Sequence, residues 1–250
     1  MKLSVVIISY NEEKHIRKCL DSVQSIADEI IVVDSYSTDN TPDICQEYSV
    51  NFCQKTYSGQ IEQKLFAKGL AQHEVMLSLD ADEAIDDELQ AEIQKEKQHG
   101  FPFDGYFLNR KAFYCGHWIN HGDWSSEWKV RLWKKDAADW KGPNPHDKVY
   151  LHASGISKRL SGSIHHYTFD TPEEHKKQIQ NYALISAQSY QKQQRKFPAL
   201  RMLFSPLTLL LKSYILKGGF LDGKIGWQLA RLGMSEKYLK YKVQKRLKEN

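Results

Sequence analysis

The sequence is poor in cysteine. Its 250 residues hold four, Cys19, Cys45, Cys53 and Cys115, with no CxxC pair, so no disulfide framework or zinc ribbon organises the chain. No charged n-region, apolar h-region and cleavage site opens it: MKLSVVIISY runs straight into a strand pattern, and a reducing, cytoplasmic setting is the expectation. The apolar stretch LFSPLTLLLKSYIL contains Pro206 and Lys212 and stops at 14 residues, short of the roughly 20 that span a bilayer. Glycine is missing where a dinucleotide fold or P-loop would need it. The first strand is followed by SYNEEK, with nothing that lets backbone amides approach a pyrophosphate. There is no internal repeat and no low-complexity linker. What remains, 41% hydrophobic and 26% charged, is an ordinary globular composition that excludes disorder.

Acidic residues are scarce at one end. From Arg195 to Asn250 there are 13 Lys and Arg against three acids, Asp222, Glu236 and Glu249, a balance of +10; with +4 overall, residues 1 to 194 carry −6. A basic tail suits nucleic acid, a membrane surface or a solvated helical face. With Trp227, Tyr238 and Tyr241 nearby, the apolar stretch inside it reads as an in-plane element docking on anionic lipid, or as a helical hairpin packed on the rest of the protein.

Up to residue 99 strand and helix patterns alternate. LSVVIIS is a strand, and NEEKHIRKCLDSVQSI is a helix with Ile16, Leu20, Val23 and Ile26 on one face behind an Asn11 N-cap. EIIVVDS is a second strand, STDNTPDICQEY a helix capped at Asn40 or Thr41 with Pro42 in its first turn, and VNFCQK a short third strand. QIEQKLFAKGLAQ returns as helix before VMLSL. This alternation predicts a parallel sheet with helices on both faces. After Gly100 the pattern becomes aromatic-rich and extended, predicting a mixed or antiparallel extension with loops around Gly116, Gly122, Gly142, Pro143 and Pro145. From Thr171, an N-cap ahead of Pro172, Glu173 and Glu174, the chain reads as helical, with breaks near Pro198, Pro206, Gly218 and Gly233.

Val75 to Leu79 is short and apolar, as a central parallel strand should be, so Asp80, Asp82 and Glu83 emerge at its carboxyl end, where open α/β sheets bind ligands. Asp34 ends a neighbouring strand. Two acids one residue apart also occur by chance in exposed loops. At a strand end, however, both can reach one hard divalent ion, or an ion and a ribose, and such an ion neutralises a diphosphate where glycine-rich backbone is lacking. Cys115, His117 and His121 have a spacing compatible with zinc, but no fourth ligand is evident and packing in an aromatic loop is the competing account.

SVVIISYNEE, IIVVDSYSTDNT and VMLSLDADE together resemble the nucleotide-sugar-binding half of GT-A glycosyltransferases of family two. WSSEWKVRLWK, PHDKVY, LSGSIHHYTF and LKSYILKGGFLDGKIGW extend the likeness, over nearly the whole chain, to bacterial enzymes that add a hexose to the inner core of lipopolysaccharide. The resemblance implies a GT-A fold: residues 1–99 as the nucleotide-sugar-binding half, 100–170 as the acceptor-side half and 171–250 as a helical basic region. It implies that Tyr10 and Glu12 line the base pocket and that Asp34 accepts from the uracil or ribose; a packing tyrosine and a first-turn helix acid are the alternatives for the first two. Ser35 and Tyr36 stand where many relatives have Asp and Gly, which leaves Asp34 without a paired acid. Asp82 is implied as direct ligand of Mg or Mn, Asp80 as its partner at the ribose or behind the metal, and His166 as a residue at the metal or diphosphate. Lys64 either approaches the diphosphate or is a solvated helix lysine, and Arg131 either holds phosphate or pairs with a surface acid. Inversion at the anomeric carbon is implied, with Glu127 as general base, Asp147 as runner-up and Asp123 as third candidate. The expected partners are a UDP-sugar donor, a glycan or glycolipid acceptor and an anionic membrane surface, with no nucleic acid. The expected location is peripheral, on the inner face of the bacterial cytoplasmic membrane. The competing readings are a nucleotidyltransferase, whose glycine-rich basic loop is missing, and a non-catalytic sugar- or nucleic-acid-binding protein.

Overall fold

Eleven strands and seven α-helices follow one another in the order β1 (Leu3–Ser9), α1 (Ile16–Val23), β2 (Glu29–Asp34), α2 (Thr41–Gln46), β3 (Asn51–Gln54), α3 (Gln60–Leu70), β4 (Val75–Asp80), β5 (Glu83–Ile85), α4 (Asp87–Gln98), β6 (Gly105–Tyr114), β7 (His117–Trp118), β8 (Glu127–Lys134), β9 (Ala138–Lys141), β10 (Lys148–Leu151), β11 (Ser157–Phe169), α5 (Pro172–Lys192), α6 (Pro198–Leu209) and α7 (Gly223–Glu249) among the described residues. This computed structural model describes residues 1–142, 148–152, 155–192 and 198–249. Asp147, Pro143 and Pro145 lie outside the described residues. The chain forms two units, Met1–Arg110 with Glu127–Tyr167, and Lys111–Ser126 with Thr168–Asn250.

In the first unit β3, β2, β1 and β4 are parallel neighbours, and the sheet continues through β8, β6, β11 and β5. The parallel half is apolar on both faces because both are covered. Leu3, Val5 and Ile7 pack with Ile16, Leu20 and Val23 of α1, whereas Val6, Ile31, Val33 and Met76 pack with Ala67 of α3 and with Trp133 and Trp140. Alternate residues of a strand point to opposite faces, so one apolar run serves two cores. β8 pairs antiparallel with β4 and β6, and β11 antiparallel with β5, the expected extension. One expectation about a terminus fails. α1 begins at Ile16 with His15, not Asn11, at the N-cap position. Asn11 instead adopts φ 54°, and its side chain accepts from the Thr38 amide at 2.8 Å.

The second unit is largely helical. Thr171 caps α5 as the sequence indicates: its hydroxyl accepts from the Glu174 amide at 3.2 Å, and Glu174 accepts from the Thr171 amide at 3.3 Å, a reciprocal capping box. Pro206 and Gly233 do not break helices. Pro206 is buried inside α6, which passes directly into a π-helical stretch, Leu210–Leu216, so backbone pairing shifts to wider spacing rather than ending. Gly233 sits within α7, where the missing side chain leaves room for Leu209. The apolar stretch is therefore longer than 14 residues. Ala199–Leu216 forms an 18-residue window of mean hydropathy 1.3 that is 6% buried, long and apolar enough to cross a membrane by length and composition. Leu200, Leu203, Phe204, Leu207, Leu211 and Ile215 are all exposed, and their spacing of three and four puts them on one helical face.

Candidate active site

The site is built where three parallel strands stop together. Ser9 pairs with Asp34, and Ile8 with Asp80, so the ends of β2, β1 and β4 deliver their polar residues to one edge. The loops beyond β1 and β2 interlock. The Asn11 amide donates to Ser37 and the Glu12 amide to Thr41, each at 2.8 Å, while the Glu13 amide donates to Asp39 at 3.0 Å. Asn11 and Tyr36 both have positive φ, 54° and 61°, a backbone cost for non-glycine residues that only fixed surroundings sustain. The interlocked loops hold Tyr10 and Tyr36 in the open, 58% and 53% exposed.

Asp34 is fully buried and already occupied: it accepts from Ser9 at 3.0 Å, from the hydroxyl and amide of Ser37, and from Gln54 at 3.3 Å. Glu12 is not a first-turn acid of α1, which starts four residues later. Burial, with Asp82, Asp39 and Asp80 around it, pushes its carboxyl up to about 8.

β4 ends at Asp80, and after two residues the chain re-enters the sheet as β5, whose Glu83 pairs with His166 of β11. This exchange brings His166 Nε2 to 3.0 Å from Asp82 Oδ2. Among the described residues Asp82 Oδ1 is buried without a hydrogen-bond partner. Burial would raise the Asp82 carboxyl, but His166 outweighs it and holds the group below its usual value. An orphaned carboxylate oxygen beside an imidazole suits a hard divalent cation that takes its other ligands from diphosphate and water. Among the described residues no group of three or more His, Cys, Asp or Glu converges as a metal cage, so Asp82 and His166 are the protein donors that fit. His165, one residue earlier, turns instead toward Asp86 at 3.6 Å.

Asp80 is clamped by cations. Lys64 Nζ lies 3.1 Å from Oδ1 and Arg131 donates to Oδ2 at 3.3 Å. Burial raises the Asp80 carboxyl, but Lys64, Arg131 and Arg110 together pull it well below the usual carboxylate range. Lys64 is thus no solvated helix lysine: it is 4% exposed and lies 4.4 Å from the Trp140 ring centroid. Nor does Arg131 pair with a surface acid. It donates to the fully buried Glu83 at 2.9 Å, and Arg110 donates to the same oxygen. The other Glu83 oxygen accepts the Asp80 amide at 3.0 Å. Glu83 therefore fixes both the backbone of the acidic strand end and the two guanidiniums facing it.

Sequence reasoning missed Arg110, Lys129, Trp140 and the bridging role of Glu83. Their signal lies in long-range pairing. Tyr106 pairs with Leu132 and the next residue, Phe107, with Val130, so Arg131 is the extra residue of a β-bulge, the device that re-aims a side chain beside a site. Glu127 faces Arg110 across the ladder and sits on the rim of a cleft of about 790 Å³ that also admits Lys64, Asp80, Lys129, Arg131 and Trp140. Its carboxylate is exposed and 3.2 Å from Lys129. Asp123 belongs to the second unit, paired with Lys217 at 2.7 Å. His121 is there too, with Nδ1 2.8 Å from Asp222.

Residues 4–159 match glycosyl transferase family 2. An uncharacterised glycosyltransferase of Rickettsia typhi is 28% identical over 235 residues, 90% of this chain and 80% of that protein. The lipopolysaccharide core biosynthesis glycosyltransferase LpsC of Rhizobium meliloti is 22% identical over 258 residues, 98% of this chain and 95% of LpsC. Among solved structures, S. aureus TarS 1–349 in complex with UDP-GlcNAc aligns with a TM-score of 0.46 and 18% identity over 73% of this chain and 66% of that one.

Proposed function

Because the chain belongs to glycosyl transferase family 2 and is a glycosyltransferase, we propose that it moves a hexose, glucose in the first instance, from a UDP-sugar to a lipopolysaccharide or lipooligosaccharide core. The observation that carries this reading is the buried, unpartnered Asp82 oxygen beside His166, next to an Asp80 held ionised by cations. Asp82 and His166 would hold Mg or Mn, which supplies Lewis-acid stabilisation of the leaving diphosphate. Tyr10 and Tyr36 flank the uracil, and Glu12 and Asp34 shape the floor beneath it. Lys64 and Arg131 orient Asp80 toward the ribose and add positive charge toward the diphosphate.

Glu127 takes the acceptor hydroxyl proton as that oxygen attacks the anomeric carbon opposite the leaving UDP, which inverts the configuration. Asp147 is the alternative base. Exposed Trp128 and Tyr150 in the same cleft offer aromatic faces with polar edges to a sugar. Another surface polysaccharide is the alternative acceptor, since the LpsC likeness is at 22% identity.

The enzyme docks on the inner face of the cytoplasmic membrane through the second unit. The apolar stripe on α6 and its π-helical continuation, with 13 cations between Arg195 and Asn250, has the amphipathic composition of an in-plane helix attracted to anionic lipid. A thermal-shift screen of UDP and UDP-hexoses with Mn, Mg or chelator tests the site. Stabilisation that disappears with chelator is expected, because a ligand of the native state alone raises the melting temperature. No response to any nucleotide would overturn the reading.

A further inference from the structure

The cleft beside Glu127 carries more positive charge than its own acids absorb. Among the described residues Lys64, Arg110, Lys129, Arg131 and Lys148 line it, against Asp80 and Glu127 in the lining and Glu83 buried behind, five cations to three carboxylates. Lys64 and Arg131 are committed to Asp80 and Glu83. Among the described residues Arg110 donates to Glu83 through Nε, and Lys129 has Glu127 alone as its ion-pair partner. Lys129 and Glu127 are two apart on β8 and Arg110 lies opposite Glu127, so all three share one face of the ladder. Burial, then Arg110 and Arg131, pull the Lys129 ammonium below its usual range despite the opposing pull of Glu127, as expected where like charges converge in a partly buried cleft.

Resting on the glycosyltransferase reading, we propose that Arg110 and Lys129 form an anion subsite for the acceptor. It takes a phosphate or carboxylate carried by the acceptor sugar near the hydroxyl that Glu127 deprotonates. The donor diphosphate is served from the Asp82 and His166 side, so the Arg110 and Lys129 pair is left for the second substrate. A planar guanidinium and a mobile ammonium suit an oxyanion with several acceptor oxygens. Substrate selection then works by charge: an acidic acceptor is drawn in, while a neutral hexose of the same shape leaves two cations desolvated and unmatched.

The experiment uses the full chain saturated with UDP and Mg, probed separately with glucose 6-phosphate, glucuronate, inorganic phosphate and glucose. Calorimetry follows UDP and thermal shift follows the second ligand. Glucose 6-phosphate or glucuronate is expected to stabilise the UDP complex where glucose does not, and whichever responds names the acidic group. Inorganic phosphate acting as well as glucose 6-phosphate would mean a general anion hole with no sugar recognition, and would overturn the acceptor assignment. K129Q, at a partly exposed position, should weaken the acidic sugar about tenfold and leave UDP affinity unchanged. UDP affinity falling in step with the acidic sugar would reassign both cations to the donor and overturn the proposal. UDP bound with no response to any acidic sugar would overturn this inference alone, whereas no UDP binding by the wild type would overturn the functional reading on which it rests.

Discussion

The first unit buries charge and the second exposes apolar surface. In the first, Lys64, Arg131, Glu83 and Asp34 are each at most 4% exposed, while in the second Leu203 is 63% and Leu216 74% exposed. Each inverts the usual sorting of residues by polarity, and the inversions have different prices in stability. A buried ion network is costly to desolvate and is sustained only if every member finds a partner, so the first unit is intolerant of single substitutions at its strand ends. An exposed leucine stripe costs the isolated fold almost nothing, yet it is a large unsatisfied surface, which marks an interaction site. Misplaced charge points to a polar ligand, and misplaced hydrocarbon to an apolar one.

The sharpest way to break the comparison is in the first unit. Asp82→Asn keeps the shape and removes the bare carboxylate oxygen. Turnover is expected to fall on the order of 10³-fold, and calorimetric UDP binding should lose its dependence on Mn. Metal-dependent binding left intact would mean that the orphaned oxygen is not the ligand. Glu127→Gln should cut turnover by about 10² to 10⁴ while UDP affinity stays constant; a fully active variant would move the base to Asp147. Glu83→Ala tests the network itself. Stripping the shared partner from Arg110 and Arg131 should cost about 3–5 kcal/mol in urea denaturation, and a loss below about 1 kcal/mol would show that water replaces the carboxylate.

In the second unit the same logic gives the opposite pattern. Leu203→Ser with Phe204→Ser should leave unfolding free energy within about 0.5 kcal/mol of wild type, as for exposed positions generally. Each lost side chain should weaken binding to anionic vesicles about tenfold or more, since fully burying one contributes about 1.5–3 kcal/mol. Unchanged vesicle binding would assign the stripe to another partner.

What could be read from the chain follows the same division. β1, β2 and β4 were legible because strands covered on both faces must be continuously apolar, and Asp34, Asp80 and Asp82 stood out as the charges that end them. The roles of Glu83 and Arg131 are not legible locally, because they depend on a three-residue strand pairing with residues about eighty positions away and on a bulge set by the neighbouring strand. No local window contains either. Lys64 looked like a solvated lysine because helical periodicity reports a face, not what the sheet presents to it. Pro206 read as a stop because propensity weighs the lost hydrogen bond, whereas the π-helical turns after it absorb the misfit without ending the helix.

The second unit's one strongly shifted imidazole makes its stability depend on pH. His175 is buried, stacked on Phe169 with centroids 4.6 Å apart, and its Nδ1 is 3.1 Å from the Tyr114 hydroxyl. Burial pushes its pKa from 6.5 down to about 4. Above about pH 6.5 neither state is protonated, and stability is unaffected. Between about 6.5 and 4 the unfolded chain binds a proton that the folded one refuses, so stability falls as pH falls, and below about 4 the loss is complete. Its full size is on the order of 3 kcal/mol. His175→Phe retains an aromatic ring against Phe169, and Gln228 still donates to the Tyr114 hydroxyl at 3.2 Å, so the variant should fold. Subtracting its urea stability from wild type at each pH cancels every other titrating group. The difference should be flat above pH 7 and slope through the acid window; a flat line throughout would mean that the imidazole is protonated inside the fold, and that burial in this unit is less strict than the packing around Tyr114 indicates.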